Sequence, residues 1–141
     1  MTKQTSSQIT QLTILSILVG IGWVLALFWV SPDQQQGEVY RILYLHVPTA
    51  FAAFLAAAVL CWYSVRALWK NDQSALLTQK AAVEVGLIFT ILTLATGSIW
   101  AKPTWGTWWT WDARLTTTLI LAILYVTYLI FFALRPVLFW E

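Results

Sequence analysis

The sequence is poor in charge and in cysteine, and each shortage excludes a class of protein. Of its 141 residues only 8 are basic and 6 acidic, so the net charge is +2 at pH 7. Such sparse and scattered charge forms no basic stripe, and we expect no nucleic-acid partner. The single cysteine, Cys61, excludes an intramolecular disulfide framework and a cysteine-based metal site built by this chain alone.

What the sequence has in abundance is apolar residues. They make up 60% of the chain, and the mean hydropathy of +0.72 is far above that of a soluble protein. Four apolar stretches are each long enough to cross about 30 Å of hydrocarbon at 1.5 Å per residue. We therefore predict an all-α integral membrane protein, a single membrane domain over 1–141 with transmembrane helices at about 9–30, 47–69, 81–100 and 115–134.

The residues that bound the first two apolar stretches indicate what each stretch forms. The first apolar stretch is too long for the core of a signal peptide, and "FWVSPDQ" offers no small-residue cleavage site, so we expect a membrane anchor. The second helix is predicted to begin near Pro48, because proline suits a first helical turn and disfavours helix at Val47. His46 is then expected just outside that helix, near the membrane interface.

The basic residues are divided unevenly between the two sides of the predicted bundle. Five lie on the side of the N-terminus and three on the opposite side, and they are, respectively, Lys3, Arg66, Lys70, Lys80 and Arg135, and Arg41, Lys102 and Arg114. The positive-inside rule favours the side with more lysine and arginine as the cytoplasmic one. The N-terminus is thus predicted to be cytoplasmic, with His46 and the loop between the third and fourth helices on the external side.

That loop carries an unusual density of tryptophan. In the segment 100–116, the stretch "WGTWWTWDARLT" places four tryptophans within seven positions, more than an interfacial aromatic belt requires. If the stretch is helical, Trp105, Trp108, Trp109 and Asp112 share one face, with Trp111 turned away. A broad aromatic face suits a planar apolar ligand such as a porphyrin, a quinone or a lipid. An interfacial helix lying on the bilayer explains the residues equally well.

Several polar residues on the same predicted side have two interpretations each. His46 is either a hydrogen-bonded interfacial residue or an axial ligand of haem iron. Arg41, Lys102 and Arg114 either anchor helix ends to lipid headgroups or pair with the two propionates of a porphyrin. Asp112 can also cap the fourth helix. No C-x-x-C-H sequence occurs, which excludes covalent c-type attachment of haem to this chain.

At these residues the chain closely resembles the WWD-domain haem-handling proteins of cytochrome c maturation, and within them the haem exporter protein C family. The stretches that carry the resemblance are "QQGEVYRILYLHVPTA" and "TGSIWAKPTWGTWWTWDARLTTTLILAILYV". The resemblance implies a haem-delivery protein of the bacterial inner membrane, rather than a conventional enzyme. It also implies that the chain binds haem b non-covalently at the outer face of the membrane and presents it to a periplasmic haem chaperone.

Further properties follow from the same resemblance. It implies work beside an ABC-type ATPase and permease and a small membrane subunit. It also implies that the tryptophan segment contacts haem and chaperone, and that His46 is an axial ligand of the iron. Family members look like six-span proteins with a second axial histidine in a later outer loop, whereas this sequence has no histidine beyond His46. Either the sequence is a truncated or split form, or another chain, solvent or a small ligand fills the sixth position of the iron.

Two other classes of function compete with haem delivery. A haem- or quinone-bearing electron-transfer subunit is expected to place histidine pairs within its helices, and this chain has one histidine. A small structural scaffold subunit would pack through small-residue faces, such as Ala52, Ala53, Ala56 and Ala57. Retention of haem distinguishes the scaffold, which should purify colourless.

Overall fold

The computed structural model describes residues 3–70 and 75–138, and in this part of the chain four long helices and no β-strand are present. The helices are α1 (Lys3–Val24), α2 (Leu43–Lys70), α3 (Ala75–Trp105) and α4 (Ala113–Leu138). A π-helical turn at Leu25–Trp29 follows α1, and a 3₁₀ turn at Glu38–Ile42 precedes α2. Four helical segments are long and apolar enough to cross a membrane. The prediction of an all-α membrane protein with about four spanning helices is confirmed.

The chain divides into two compact units between Tyr44 and Leu45. In the first unit, the segment after α1 is held by a tight turn and one arginine. The Asp33 carboxylate accepts hydrogen bonds from the backbone N–H groups of Gln36 (2.8 Å) and Gln35 (2.9 Å), which hold the pKa of this carboxyl below its usual value. Gly37, at φ +60°, closes the turn in the left-handed region that favours glycine.

Arg41 joins the end of the first span to the 3₁₀ turn. Its guanidinium donates to the carbonyl oxygens of Leu27 (2.6 Å) and Val30 (2.9 Å), and its Nε lies 3.0 Å from a carboxylate oxygen of Glu38. A basic side chain at the C-terminal end of a helix satisfies carbonyl groups that have no helical partner. Arg41 thus has a structural role within the first unit.

The second unit packs α2, α3 and α4 through small residues. Tyr125 of α4 is buried, and its ring lies so close to Gly86 of α3 that a Cβ there would be 2.6 Å from it. The Tyr125 hydroxyl donates to the carbonyl of Ala53 in α2, at 3.3 Å. Ala53 itself is buried. Small residues are typical of helix contacts in membranes, because they let backbones approach closely.

A second polar link joins the same three helices nearer the start of α3. The buried Gln79 donates from Nε2 to the carbonyl of Tyr63 in α2 (3.0 Å). The hydroxyl of Tyr128 in α4 donates to Gln79 Oε1 (2.7 Å). The amide therefore uses both of its ends, which is what a buried polar group requires in an apolar setting.

The structure corrects the predicted position of His46. Helix α2 begins at Leu43, upstream of Pro48, so His46 lies inside the helix and the prediction that it lies outside is wrong. The 3₁₀ turn runs directly into α2, and Pro48 lies within the early turns of that helix. Proline there removes one N–H group, and the neighbouring Thr49 hydroxyl donates to the His46 carbonyl at 2.8 Å.

The end of α3 also differs from expectation. Helix α3 continues to Trp105, past the predicted end at 100, and stops where Gly106 takes φ +78° and donates its N–H to the Lys102 carbonyl (2.9 Å). Residues 106–112 form a loop, so the stretch is not helical and the shared face expected for a helical stretch is not formed. The side chains of Lys3 and Arg135 lie outside the described part of the chain, and the single membrane domain over 1–141 stays a prediction.

Candidate functional site

The second unit contains a cavity of about 430 Å³ between α2, α3 and the beginning of α4. Its wall is mainly apolar, with one histidine from α2 and several polar or charged side chains around the start of α4. The lining residues are His46, Ala50, Ala53, Phe54, Thr93, Leu94, Gly97, Trp100, Trp105, Asp112, Arg114, Leu115, Thr117, Thr118 and Leu121. A concave apolar site with a few polar groups is the usual form of a small-molecule site.

The histidine of this cavity is held against α3. His46 Nδ1 lies 3.0 Å from the hydroxyl oxygen of Thr96. The imidazole ring packs on Gly97, where a Cβ would come within 3.1 Å of His46 Cε1. The contact with Thr96 engages Nδ1, so Nε2 is the ring nitrogen outside that contact. This nitrogen is therefore the one available to a ligand.

Asp112 forms the N-terminal cap of α4. Its Oδ1 accepts the backbone N–H groups of Arg114 (2.9 Å) and Leu115 (3.0 Å), and its Oδ2 accepts the hydroxyl of Thr110 (2.8 Å). These bonds, first that of Leu115 and then that of Thr110, hold the pKa of the carboxyl below its usual value. The capping interpretation of Asp112 is confirmed.

Arg114 places a positive charge on the rim of the cavity. Its guanidinium lies over the Trp105 ring, 5.2 Å from the centroid, and 3.7 Å from Asp112 Oδ2. The side chain is nevertheless 73% exposed, and most of its N–H donors face solvent. A cation stacked on an indole is oriented while its donors stay available to an anionic group.

The four clustered tryptophans fall into two groups. Trp105 lines the cavity together with Trp100, and the two rings meet edge to face at 5.1 Å. Trp108, Trp109 and Trp111 belong to the loop and are not among the lining residues. Trp108 is 56% and Trp111 78% exposed, while Trp109 meets Trp111 edge to face at 5.6 Å.

The other two predicted basic residues have contacts of their own. Lys102 does not line the cavity, and its Nζ donates to the Gly106 carbonyl at 3.0 Å. Arg41 belongs to the first unit, where its guanidinium binds backbone carbonyls. In the second unit the structure thus brings His46, Trp105, Asp112 and Arg114 together around one cavity.

Sequence reasoning missed the part of the site that α3 supplies. Thr93, Gly97 and Trp100 line the cavity and follow the i, i+4, i+7 spacing of one helical face. That spacing was visible in the sequence, but hydroxyl and glycine residues are common in membrane helices and do not by themselves indicate a ligand.

In the described residues no group of three or more His, Cys, Asp or Glu could hold a bare metal ion.

Comparisons with known proteins agree with these features. Residues 1–135 match the family model described as haem exporter protein C. The haem exporter protein C of Haemophilus influenzae is 44% identical over 110 residues, covering 78% of this chain and 45% of that protein. The Escherichia coli K12 protein of the same name is 42% identical over 110 residues, with the same coverage.

A plant protein is similar to the same degree. It is a putative cytochrome c biosynthesis ccmC-like mitochondrial protein of Marchantia polymorpha, 44% identical, with 78% of this chain and 51% of that protein covered. The chain spans about half the length of the curated relatives it matches. Because the family model matches nearly the whole sequence, this chain belongs to the haem exporter protein C family.

Proposed function

We propose that this chain binds haem b non-covalently in the cavity of the second unit and takes part in haem delivery for cytochrome c biogenesis. The observation that carries the proposal is the position of its single histidine, His46, in one cavity with Trp105 and Arg114. The names of the related proteins, which refer to haem export and cytochrome c biosynthesis, agree with this cargo. Axial ligation of the iron by an imidazole nitrogen would hold the metal.

The cavity has the chemistry that such a cargo needs. Its volume of about 430 Å³ lies in the range of small-molecule sites, about 300–1,000 Å³. Ala53, Leu94 and Leu121 supply apolar wall for a macrocycle, and Trp105 adds an aromatic face. The guanidinium of Arg114 is suited to a bidentate hydrogen bond with a propionate. The Asp112 carboxylate is already bonded to two N–H groups and one hydroxyl, which reduces its repulsion of that anion.

The loop tryptophans are proposed to act in a different step. Trp108 and Trp111 expose large aromatic surfaces beside the cavity residue Trp105 in sequence. Exposed aromatic groups are typical of protein contacts, and we assign these to the docking of a periplasmic haem chaperone. His46 would be the one strong ligand of the haem iron, and the other contacts with haem would be weak enough to be replaced. Such an arrangement would let the chain hold haem and still release it.

The setting of this step follows from the family resemblance. We propose that the chain lies in the bacterial inner membrane with the cavity at the external face, beside an ABC-type ATPase and permease and a small membrane subunit. Lys102 is a further candidate for a propionate contact. Its own hydrogen bond to the Gly106 carbonyl makes Arg114 the stronger candidate.

The test is the visible absorption spectrum of the detergent-purified chain supplied with haem. We expect a Soret band in the wild type, a shifted or absent band in His46→Ala, and weaker retention with unchanged ligation in Trp105→Ala. Trp69→Ala is the matched control, since Trp69 is 85% exposed on α2 and does not line the cavity. A folded wild type that stays colourless would refute the proposal and favour a scaffold. An unchanged band in His46→Ala would remove His46 as the ligand.

A further inference from the structure

We propose that Thr96 is a positioning residue that fixes His46 in the neutral tautomer with the proton on Nδ1, which leaves the Nε2 lone pair for a metal. The inference deepens the proposed function and rests on it for the identity of the metal, haem iron. The tautomer itself follows from contacts between α2 and α3 and can be measured without haem.

The direction of the hydrogen bond is decided by the single proton of the Thr96 hydroxyl. Thr96 Oγ1 lies 2.7 Å from the carbonyl oxygen of Leu92 and 3.3 Å from that of Thr93. A carbonyl oxygen can only accept, so the hydroxyl proton is used within α3. What remains on Oγ1 toward His46 is a lone pair. The 3.0 Å contact with His46 Nδ1 must therefore be donated by the ring.

This direction determines the state of the other ring nitrogen. A neutral imidazole carries one N–H, and the nitrogen without it is the acceptor and the metal ligand. With the proton on Nδ1, the lone pair lies on Nε2, the nitrogen outside the contact with Thr96. Histidine in water favours the opposite tautomer, with the proton on Nε2. Thr96 would thus reverse the intrinsic preference and prepare the ring for ligation.

Other contacts hold the ring in the position that this bond requires. The Thr49 hydroxyl donates to the His46 carbonyl (2.8 Å) and lies 3.2 Å from the hydroxyl oxygen of Thr93. The backbone and the ring of His46 are therefore both tied to α3. Gly97 completes the arrangement, because its missing Cβ leaves space for Cε1 of the ring. Such outer partners orient a metal-binding histidine and raise its basicity.

The experiment uses the fact that the chain contains one histidine. Haem-free protein labelled with ¹⁵N-histidine gives a single imidazole signal set, and the ¹⁵N shifts and couplings identify the protonated nitrogen. At a pH where the ring is neutral, we expect Nδ1–H in the wild type and in Thr96→Ser, which keeps the hydroxyl. Thr96→Val has the same shape without the acceptor, and we expect it to change to mainly Nε2–H.

A control separates this effect from general damage to the bundle. Thr127→Val also removes a hydroxyl that donates to the carbonyl four residues earlier, Ile123, in α4, and it should leave the imidazole signals unchanged. Haem titration adds a second readout. Loss of an outer partner typically lowers metal affinity by about 10–100-fold, so Thr96→Val should bind haem that much more weakly, while Thr96→Ser should remain close to the wild type.

The two proposals fail in different ways. Nε2–H in the haem-free wild type, or an unchanged tautomer in Thr96→Val, would overturn the role assigned to Thr96. A wild type that shows Nδ1–H but binds no haem would overturn the proposed function and leave the tautomer assignment standing.

Discussion

At the scale of single residues, the site depends on groups that carry no charge and little bulk. Thr96 supplies a lone pair to His46, and Gly97 supplies the space in which the imidazole lies. Both are on α3, whereas the histidine is on α2, so the position of the ligand depends on the packing of two helices. A substitution at either residue should therefore alter haem binding through the position of His46, although His46 itself is unchanged.

Gly97→Ala tests this dependence. The added Cβ would lie 3.1 Å from His46 Cε1 and 3.5 Å from Nδ1, so the ring must move by a few tenths of an ångström, which disturbs its bond to Thr96. We expect haem affinity to fall by about tenfold, the lower end of the effect of disturbing a ligand's support. The measurement is a Soret titration. Gly22→Ala is the control, because nothing lies within 4 Å of the Cβ that it would add.

Gly97→Ala and Gly22→Ala should both remain folded. Alanine is favoured over glycine in a helix interior by about 0.5–1 kcal/mol, so neither substitution should unfold its helix. Equal haem affinity in Gly97→Ala and the wild type would show that the ring is not confined by α3.

The sequence was sufficient to select part of this site. His46 and Arg114 stood out because charged and imidazole groups are rare in this chain, and Trp105 stood out by its place in the tryptophan cluster. Thr96 and Gly97 could not be selected in the same way. Their importance arises from the neighbour that each one faces, and helix pairing is not encoded in the local spacing of small residues.

At the scale of elements, the number and type of helices followed from apolar length, but their ends did not. The sequence predicts that α2 begins near Pro48, yet the helix contains this residue. Pro103 likewise lies within the last turns of α3. Proline excludes one backbone hydrogen bond without deciding whether the flanking turns stay helical. The clear stop signal was Gly106, whose positive φ ends α3.

The start of α4 should depend on the ionised form of Asp112. The folded-state pKa of this carboxyl is lowered, chiefly by the N–H of Leu115. A group with a depressed pKa stabilises the fold above its unfolded value, near 3.8, and that contribution is lost as the pH falls through the folded value. We therefore expect Asp112→Ala to lower the thermal unfolding midpoint equally at pH 7 and pH 5.5, and by less below pH 3.8.

The comparison variant is Asp112→Asn, because asparagine also caps helices well. It should retain most of the stability that Asp112→Ala loses, and its difference from the wild type should shrink in acid. Circular dichroism of the detergent-solubilised chain follows both transitions. An Asp112→Ala midpoint equal to that of the wild type at neutral pH would contradict a stabilising cap.

At the scale of the whole molecule, most of the buried apolar residues are small, and many large apolar residues are exposed. Soluble proteins usually show the opposite arrangement. In the second unit the buried positions hold small residues such as Ala53, Ala56 and Ala82, while Phe51 and Phe54 are exposed. Lipid tails solvate large apolar side chains well, so helix association relies on close packing and polar links instead of hydrophobic burial. This pattern supports an environment of lipid on several sides.

The orientation is predicted by the basic residues and can be tested with single cysteines. Five lysine and arginine residues on the N-terminal side against three on the other favour a cytoplasmic N-terminus. In a Cys61→Ser background, a membrane-impermeant maleimide should label Thr104→Cys, at the exposed end of α3, in intact cells. Lys70→Cys, at the exposed end of α2, should react only after permeabilisation. The reverse pattern would place the cavity and its tryptophan loop on the cytoplasmic side, where a periplasmic chaperone has no access to them.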